Sequence, residues 1–300
     1  MGDVQPTHEQ AVRALRALAG LRHADAERHA AAAPEAPLLA RSWKLLIRGL
    51  LTIERTELRD AEPLLLQAAA LAFIDAVGEG DEGSSASRVA AKALHHLGWV
   101  YRREERVAEA VRVHRAALLL RERFGSFEEL WETTCELGLD ADVARSFDEA
   151  ERSHHQAIDL ATRCTQEPVR REAVARTNLA TSLAESHRYE HAVAAARSAR
   201  DAWRRHDVTV ATAVEADLNL GSTLLMHGQS LSEREDANAR SVVAEATEFL
   251  TIAHQGLSAF GSDYAAQAAC CRAQLDFANR LAGHAERTAV PDCDPLPFTR

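Results

Sequence analysis

The chain of 300 residues has a formal net charge of −10, and its residues are 46% hydrophobic but only 5% aromatic. A general nucleic-acid binder carries a basic face, so this acidic balance excludes that class of partner. Alanine, the strongest helix former, is abundant, and leucine, arginine and glutamate follow it closely in helix propensity. The composition therefore predicts an all-α protein whose core consists of many small side chains.

No segment of the sequence has the pattern of a secretory signal or of a membrane span. The stretch MGDVQPTHEQ at the start lacks a basic segment followed by an apolar one. The longest apolar stretch, residues 63–77, is short for a membrane helix and contains Gln67 and Asp75. We therefore expect a cytoplasmic protein with no membrane partner. Basic residues are almost all arginine, with lysine only at positions 44 and 92, as is typical of a GC-rich bacterial genome.

A spacing of small residues recurs along the chain and is clearest in the unit that begins at Ala91. If Ala91 is position 1, then positions 8, 20 and 27 are Gly98, Ala110 and Ala117. Five further units have small residues at most of these positions, and they begin near residues 7, 42, 131, 173 and 214. A recurrence at this interval is typical of repeat proteins.

The spacing within each unit predicts two helices that cross closely. Positions 4, 7, 8 and 11 form one face of a first helix, and positions 17, 20, 24 and 27 form one face of a second. Small residues at positions 8 and 20 let the two backbones approach, and position 27 does the same for the next unit. A single helix pair cannot bury both faces, so each unit needs neighbours, and the units should stack into a solenoid.

Four segments depart from this pattern. The stretch 78–87, GEGDEGSSAS, has the composition of a flexible acidic loop. A polar insert at 228–239 separates the helices of the unit from 214, and its second helix should resume near Arg240. The pattern of residues 263–282 predicts a last helix, which covers the open end of the array. The whole array, with this helix, spans residues 1–283. The tail 284–300 is interrupted by proline and is expected to be loose.

The units resemble the tetratricopeptide repeat (TPR) family. The unit from Ala91 carries the family's signature residue types at these positions: Leu94, Leu97, Gly98, Tyr101, Ala110, His114 and Ala117. The interval of 40–42 residues between the later units is similar to the long repeats of kinesin-light-chain-like TPR proteins. The resemblance implies an all-α, right-handed superhelical solenoid of about six helix-turn-helix units plus a C-terminal capping helix.

The resemblance also implies a peptide-binding groove lined by the first helix of each unit, through positions 2, 5, 6, 9, 12 and 13. In the long-repeat relatives, asparagine at position 6 bonds the peptide backbone, and Asn178 and Asn219 occupy that position in two consecutive units. An amide can donate to a carbonyl and accept from an N–H at once. The alternative is that both asparagines bond within their repeats or face water.

Other groove positions supply a second group of candidate contacts. They are Lys92, His95, Trp99, Arg102, Arg103, Leu139 and Asp142. Basic side chains beside a tryptophan suit a partner segment with an acidic and an apolar element. Alternatively, Arg102 and Arg103 pair with neighbouring acids. The family's lysine-rich carboxylate clamp is not reproduced here, so a chaperone-tail ligand is not expected.

The histidines raise the question of a metal site, because imidazole is the commonest metal ligand. His114 and His154 fall at position 24, where the family packs a ring between helices, so a core role is favoured. The sequence also lacks a zinc-protease helix, a nucleophile elbow and a phosphate-binding glycine loop. We therefore expect no metal, no cofactor and no enzymatic activity.

The leading hypothesis is a cytoplasmic bacterial TPR scaffold or adaptor that binds a protein or peptide. Two alternatives stay open. The first is a regulatory sensor whose superhelix responds to a small peptide or metabolite, and the second is a metal-binding or enzymatic protein that uses the histidines. Fold alone does not choose among them.

Overall fold

The computed structural model describes residues 38–78, 84–205 and 210–283, and in these ranges the chain is helical without any strand. The all-α prediction is confirmed. The predicted unit from residue 7 and the predicted tail 284–300 lie outside the described residues. The chain divides into two compact parts, and the first ends at Ala144. We call these parts the first and second unit, and we call the helix pairs repeats.

The described helices form an ordered series from residue 38 onward. The first unit contains α1 (Leu38–Glu54), α2 (Leu58–Gly78), α3 (Ser84–Arg103), α4 (Val107–Phe124) and α5 (Phe127–Val143). The second unit contains α6 (Phe147–Ala161), α7 (Pro168–Glu185), α8 (Tyr189–Arg205), α9 (Val210–Glu233), α10 (Ala239–Ala259), a 3₁₀ turn (Gly261–Tyr264) and α11 (Ala265–Gly283). The last helix lies where the capping helix is predicted.

Alanines at positions 20 and 27 lie in the core of the repeats that the structure describes. All are buried: Ala61, Ala68, Ala110, Ala117, Ala150, Ala157, Ala192, Ala199, Ala246 and Ala253. Because a methyl group is the whole side chain, helix backbones approach closely at these points, as the sequence predicts.

Glycine at position 8 makes room for the residue at position 24 of the same hairpin. A Cβ atom on Gly98 would lie 2.6 Å from Cδ2 of the His114 ring, which packs directly against the backbone of α3. Gly221 has the same relation to Leu250, since its Cβ would lie 2.9 Å from Cγ of that leucine. A side chain at either glycine would push the two helices apart.

The turns between paired helices share one backbone conformation. A residue other than glycine adopts a left-handed φ in each: Thr56 (62°), Glu105 (62°), Arg145 (59°), His187 (61°) and Glu235 (57°). In four of these turns the next amide donates to the carbonyl five residues earlier, over 2.8–3.1 Å: Glu57 to Thr52, Arg106 to Tyr101, Arg188 to Leu183 and Asp236 to Leu231. This is the helix-ending arrangement that usually favours glycine.

Two segments predicted to be loops are partly helical. Within 78–87, α3 begins at Ser84, and residues 79–83 lie outside the described part. Within 228–239, α9 continues to Glu233, because Gly228 lets α9 stay packed on α10: a Cβ there would lie 2.6 Å from Cγ2 of Val243. The insert therefore lengthens the hairpin, and α10 begins at Ala239, close to the predicted Arg240.

Of the helices described, none is both long enough and apolar enough to cross a membrane.

Candidate functional site

One face of α3 carries a row of basic and aromatic side chains. Lys92, His96, Trp99 and Arg103 follow one another at intervals of four, three and four residues, so they lie on one face of the helix. The first three are half-buried and Arg103 is exposed. The guanidinium carbon of Arg103 lies 5.2 Å from the centre of the Trp99 ring, a cation–π contact. We call these four residues the basic–aromatic stripe.

The basic groups of the stripe make no direct contact with an acidic side chain in the described part of the chain. Lys92, His96 and Arg103 form no hydrogen bond or ion pair with any described residue. Burial lowers the pKa of the Lys92 ammonium, and Glu132 partly offsets this effect. Burial also holds the pKa of His96 well below its usual value, and the charge of Lys92 adds to the effect. Half-buried basic groups without a partner create a surface that an anionic group would stabilise.

Helix α5, which contacts α3, adds apolar surface next to acidic groups. Leu139 is half-buried, and Val143, one turn further along the helix, is 53% exposed. Glu132 lies 3.6 Å from Arg121, and Asp142 is half-buried. Glu132, Leu139 and Val143 follow at intervals of seven and four residues on one side of α5, and the charge of Glu132 acts on Lys92 of the stripe.

A buried polar network fixes α3, α4 and α5 beneath this face. Arg102 donates to Oδ1 of Asp140 over 2.9 Å and also contacts the Glu136 carboxylate. His114 Nδ1 lies 2.6 Å from Oδ2 of the same Asp140, and its Nε2 lies 2.9 Å from the His95 carbonyl oxygen. The alternative considered from the sequence, that Arg102 pairs with neighbouring acids, is what the structure shows.

His95 is turned inward, whereas its neighbour His96 lies on the stripe. His95 is 9% exposed, and its Nδ1 lies 3.4 Å from the Thr133 hydroxyl. The sequence prediction named His95 and missed His96. The signal was present, because His96 occupies position 6 of its unit, as Asn178 and Asn219 do in theirs.

In the second unit, Asn178 on α7 and Asn219 on α9 share an unusual feature. The Nδ2 atom of each is inaccessible to solvent and has no hydrogen-bond partner among the described residues. Both residues are half-buried, and the two helices contact each other. Two neighbouring first helices therefore carry a buried, unpaired amide donor at the same repeat position.

The described residues include no group of three or more histidine, cysteine or acidic side chains that could hold a metal ion. His114 and His154 are completely buried at position 24, in the core location predicted from the sequence.

No protein-family model matches the sequence, and no curated protein matches it. Solved structures do match the fold. BtubC (BKLC) from P. vanneervenii is 16% identical with a TM-score of 0.59, over 87% of this chain and 91% of that one. A putative kinesin light chain from Podosopora anserina with nearly identical TPR-like repeats is 14% identical with a TM-score of 0.52, over 70% of this chain and 100% of that one.

NprR in complex with its cognate peptide NprX is 10% identical with a TM-score of 0.53, over 96% of this chain and 84% of that one. At these identities the likeness concerns the fold. It confirms that the chain is built from TPR-like helical repeats, similar to those of a kinesin-light-chain protein.

Proposed function

We propose that this chain of TPR-like fold binds an extended segment of another protein through the exposed faces of its first helices, without chemistry of its own. The observation that carries the proposal is the pair of unpaired amide donors on Asn178 and Asn219. The NprR complex, in which a similar fold accompanies a peptide, supports it.

A buried N–H without a partner destabilises the free protein, by about 1–3 kcal/mol for a typical group. Rotation about χ2 would turn each half-buried side chain toward a bound segment, where Nδ2 could donate to a backbone carbonyl and Oδ1 could accept a backbone N–H. Contacts of this kind do not depend on the side chains of the bound segment. Asn178 and Asn219 would thus contribute to the binding of segments with many different sequences.

The first unit by itself carries a second set of candidate contacts. The basic–aromatic stripe offers unpaired Lys92, His96 and Arg103 to an acidic group, while Trp99 and Leu139 offer apolar surface. The partner segment is therefore expected to contain an acidic and an apolar element. Arg102 contributes indirectly, because its ion pairs with α5 hold the stripe in place.

Selection from a random peptide library displayed on phage, with the whole protein immobilised, tests this function. Affinities of the enriched peptides are then measured by fluorescence anisotropy. The double variant Asn178→Ala, Asn219→Ala should bind at least about 30-fold more weakly, the effect of two lost hydrogen bonds. The matched control is Asn238→Ala, which removes an exposed asparagine at the start of α10.

The control should bind like the wild type. If no peptide is enriched, or if the double variant binds every enriched peptide at full strength, the proposed function is wrong.

A further inference from the structure

Glu215 on α9 is a half-buried carboxylate without a partner. It forms no hydrogen bond or ion pair with any residue in the described ranges. Burial raises the pKa of its carboxyl group, and no neighbouring charge opposes that effect. The group is thus removed from water without the compensation that buried charges normally have.

Several charged groups on α9 and on the adjacent helices α7 and α8 are paired with one another. Asp217, two residues along, pairs with Arg200 of α8. Arg176 on the neighbouring helix α7 pairs with Glu172 over 2.8 Å, and Glu172 also lies 3.5 Å from Arg205. The structure therefore satisfies these charges but leaves that of Glu215 unpaired.

Glu215 lies beside the peptide-binding face proposed for the second unit. It precedes Asn219 by four residues, one turn of α9, so the two side chains lie on the same side of the helix. Asn219 has an unpaired donor and Glu215 an unpaired acceptor. A segment held by the amide of Asn219 would pass next to this carboxylate.

We propose that Glu215 binds a positively charged lysine or arginine side chain of the captured segment. The inference rests on the proposed peptide binding and adds a basic element to the acidic and apolar ones expected in the partner. A cation at this point would neutralise the Glu215 carboxylate, which has no ion-pair partner among the described residues. Because the free protein already bears the cost of burying this carboxylate, pairing it with a cation would stabilise the complex more than a pair on an open surface.

The test uses the same phage selection on the whole protein. Peptides enriched on the wild type should share a lysine or arginine at one position, and peptides enriched on the Glu215→Gln variant should not. One enriched peptide is then synthesised with an acetylated N-terminus, so that its amino group cannot replace the side chain. Replacing its lysine by norleucine should weaken binding about tenfold to the wild type and less than about twofold to Glu215→Gln.

Glu248→Gln is the matched control, because it removes an exposed carboxylate from α10 and should keep the lysine preference. Thermal unfolding of the free proteins gives an independent readout. Glu215→Gln should melt at the same temperature as the wild type or higher, since an uncompensated charge is removed. A lower melting temperature would show that Glu215 has a structural partner and would overturn the inference.

The two proposals fail in different ways. If enriched peptides depend on Asn178 and Asn219 but show no basic position, the assignment of Glu215 is wrong and the proposed function stands. If no peptide is enriched, both are wrong.

Discussion

His114 and Asp140 form a buried contact in which Nδ1 of the imidazole lies 2.6 Å from Oδ2 of the carboxylate, with both side chains fully buried. The other ring nitrogen, Nε2, lies 2.9 Å from the His95 carbonyl oxygen. Asp140 also accepts from Arg102. One carboxylate therefore connects α3, α4 and α5.

Removing the Asp140 carboxylate should destabilise the folded protein. Asp140→Ala leaves Arg102 and His114 without their shared acceptor, so the free energy of unfolding should fall by about 3 kcal/mol. Urea denaturation measures the loss. The control Arg197→Ala breaks an exposed pair with Glu245 and should cost less than about 1 kcal/mol. Equal effects of the two variants would contradict a structural role for the network.

The close approach of α3 and α4 predicts that Gly98 tolerates no side chain. In Gly98→Ala the new methyl group meets the His114 ring, which its hydrogen bonds hold in place. The free energy of unfolding should fall by about 1–3 kcal/mol, as for overpacked cores. Gly283→Ala is the control, because no atom of the described residues comes within 4 Å of its added Cβ, and it should melt like the wild type. If Gly98→Ala has the same free energy of unfolding as the wild type, the close packing of Gly98 on His114 is wrong.

The shared turn conformation predicts a stabilising substitution. Glu105 is exposed and has φ of 62°, which disfavours a residue with a Cβ atom. Glu105→Gly should raise the free energy of unfolding by about 0.5–1 kcal/mol, because the strain relieved exceeds the flexibility gained by the unfolded chain. The same exchange inside a helix, Glu248→Gly, should lower it by about 1 kcal/mol. If Glu105→Gly and Glu248→Gly both lower the free energy of unfolding, this turn is unstrained.

His96 should make the protein less stable in mild acid. Its pKa in the folded state lies well below the usual value of 6.5, because of burial and of the charges on Lys92 and Arg121. As the pH falls below about 6.5, the unfolded chain therefore takes up a proton that the folded chain does not. Stability falls by up to about 1.4 kcal/mol per pH unit for this group, until the folded-state pKa is reached.

The measurement compares urea unfolding between about pH 7 and about pH 5 in the wild type and in His96→Gln. The variant should lose less stability over this range, and His96→Asn should behave in the same way. If both variants keep the pH dependence of the wild type, the environment assigned to His96 is incorrect.

The repeat architecture could be predicted from the sequence because its determinants are local. Alanine at positions 20 and 27 and glycine at position 8 define the crossing of two helices that are close in the chain, as Gly98 and His114 show. The same register assigned Asn178 and Asn219 to position 6, where both present unpaired amides.

The details that escaped prediction depend on distant contacts. The contact of the inward-facing His95 with Thr133 joins residues 38 positions apart, a pairing that the repeat spacing does not encode. Arg102 pairs with Asp140, also 38 residues away, and the helix spacing does not encode that choice. The extension of α9 through its polar segment depends on packing of Gly228, which composition alone does not reveal.

The most direct test of the account follows the side-chain amides of Asn178 and Asn219 by NMR. Both signals are identified in isotope-labelled protein from their loss in the alanine variants, and a peptide enriched by phage selection is then added. New hydrogen bonds should shift both side-chain amide signals in proportion to the bound fraction, while that of Asn238 stays in place. If the peptide saturates the protein and neither Asn178 nor Asn219 responds, the first-helix face is not the binding surface.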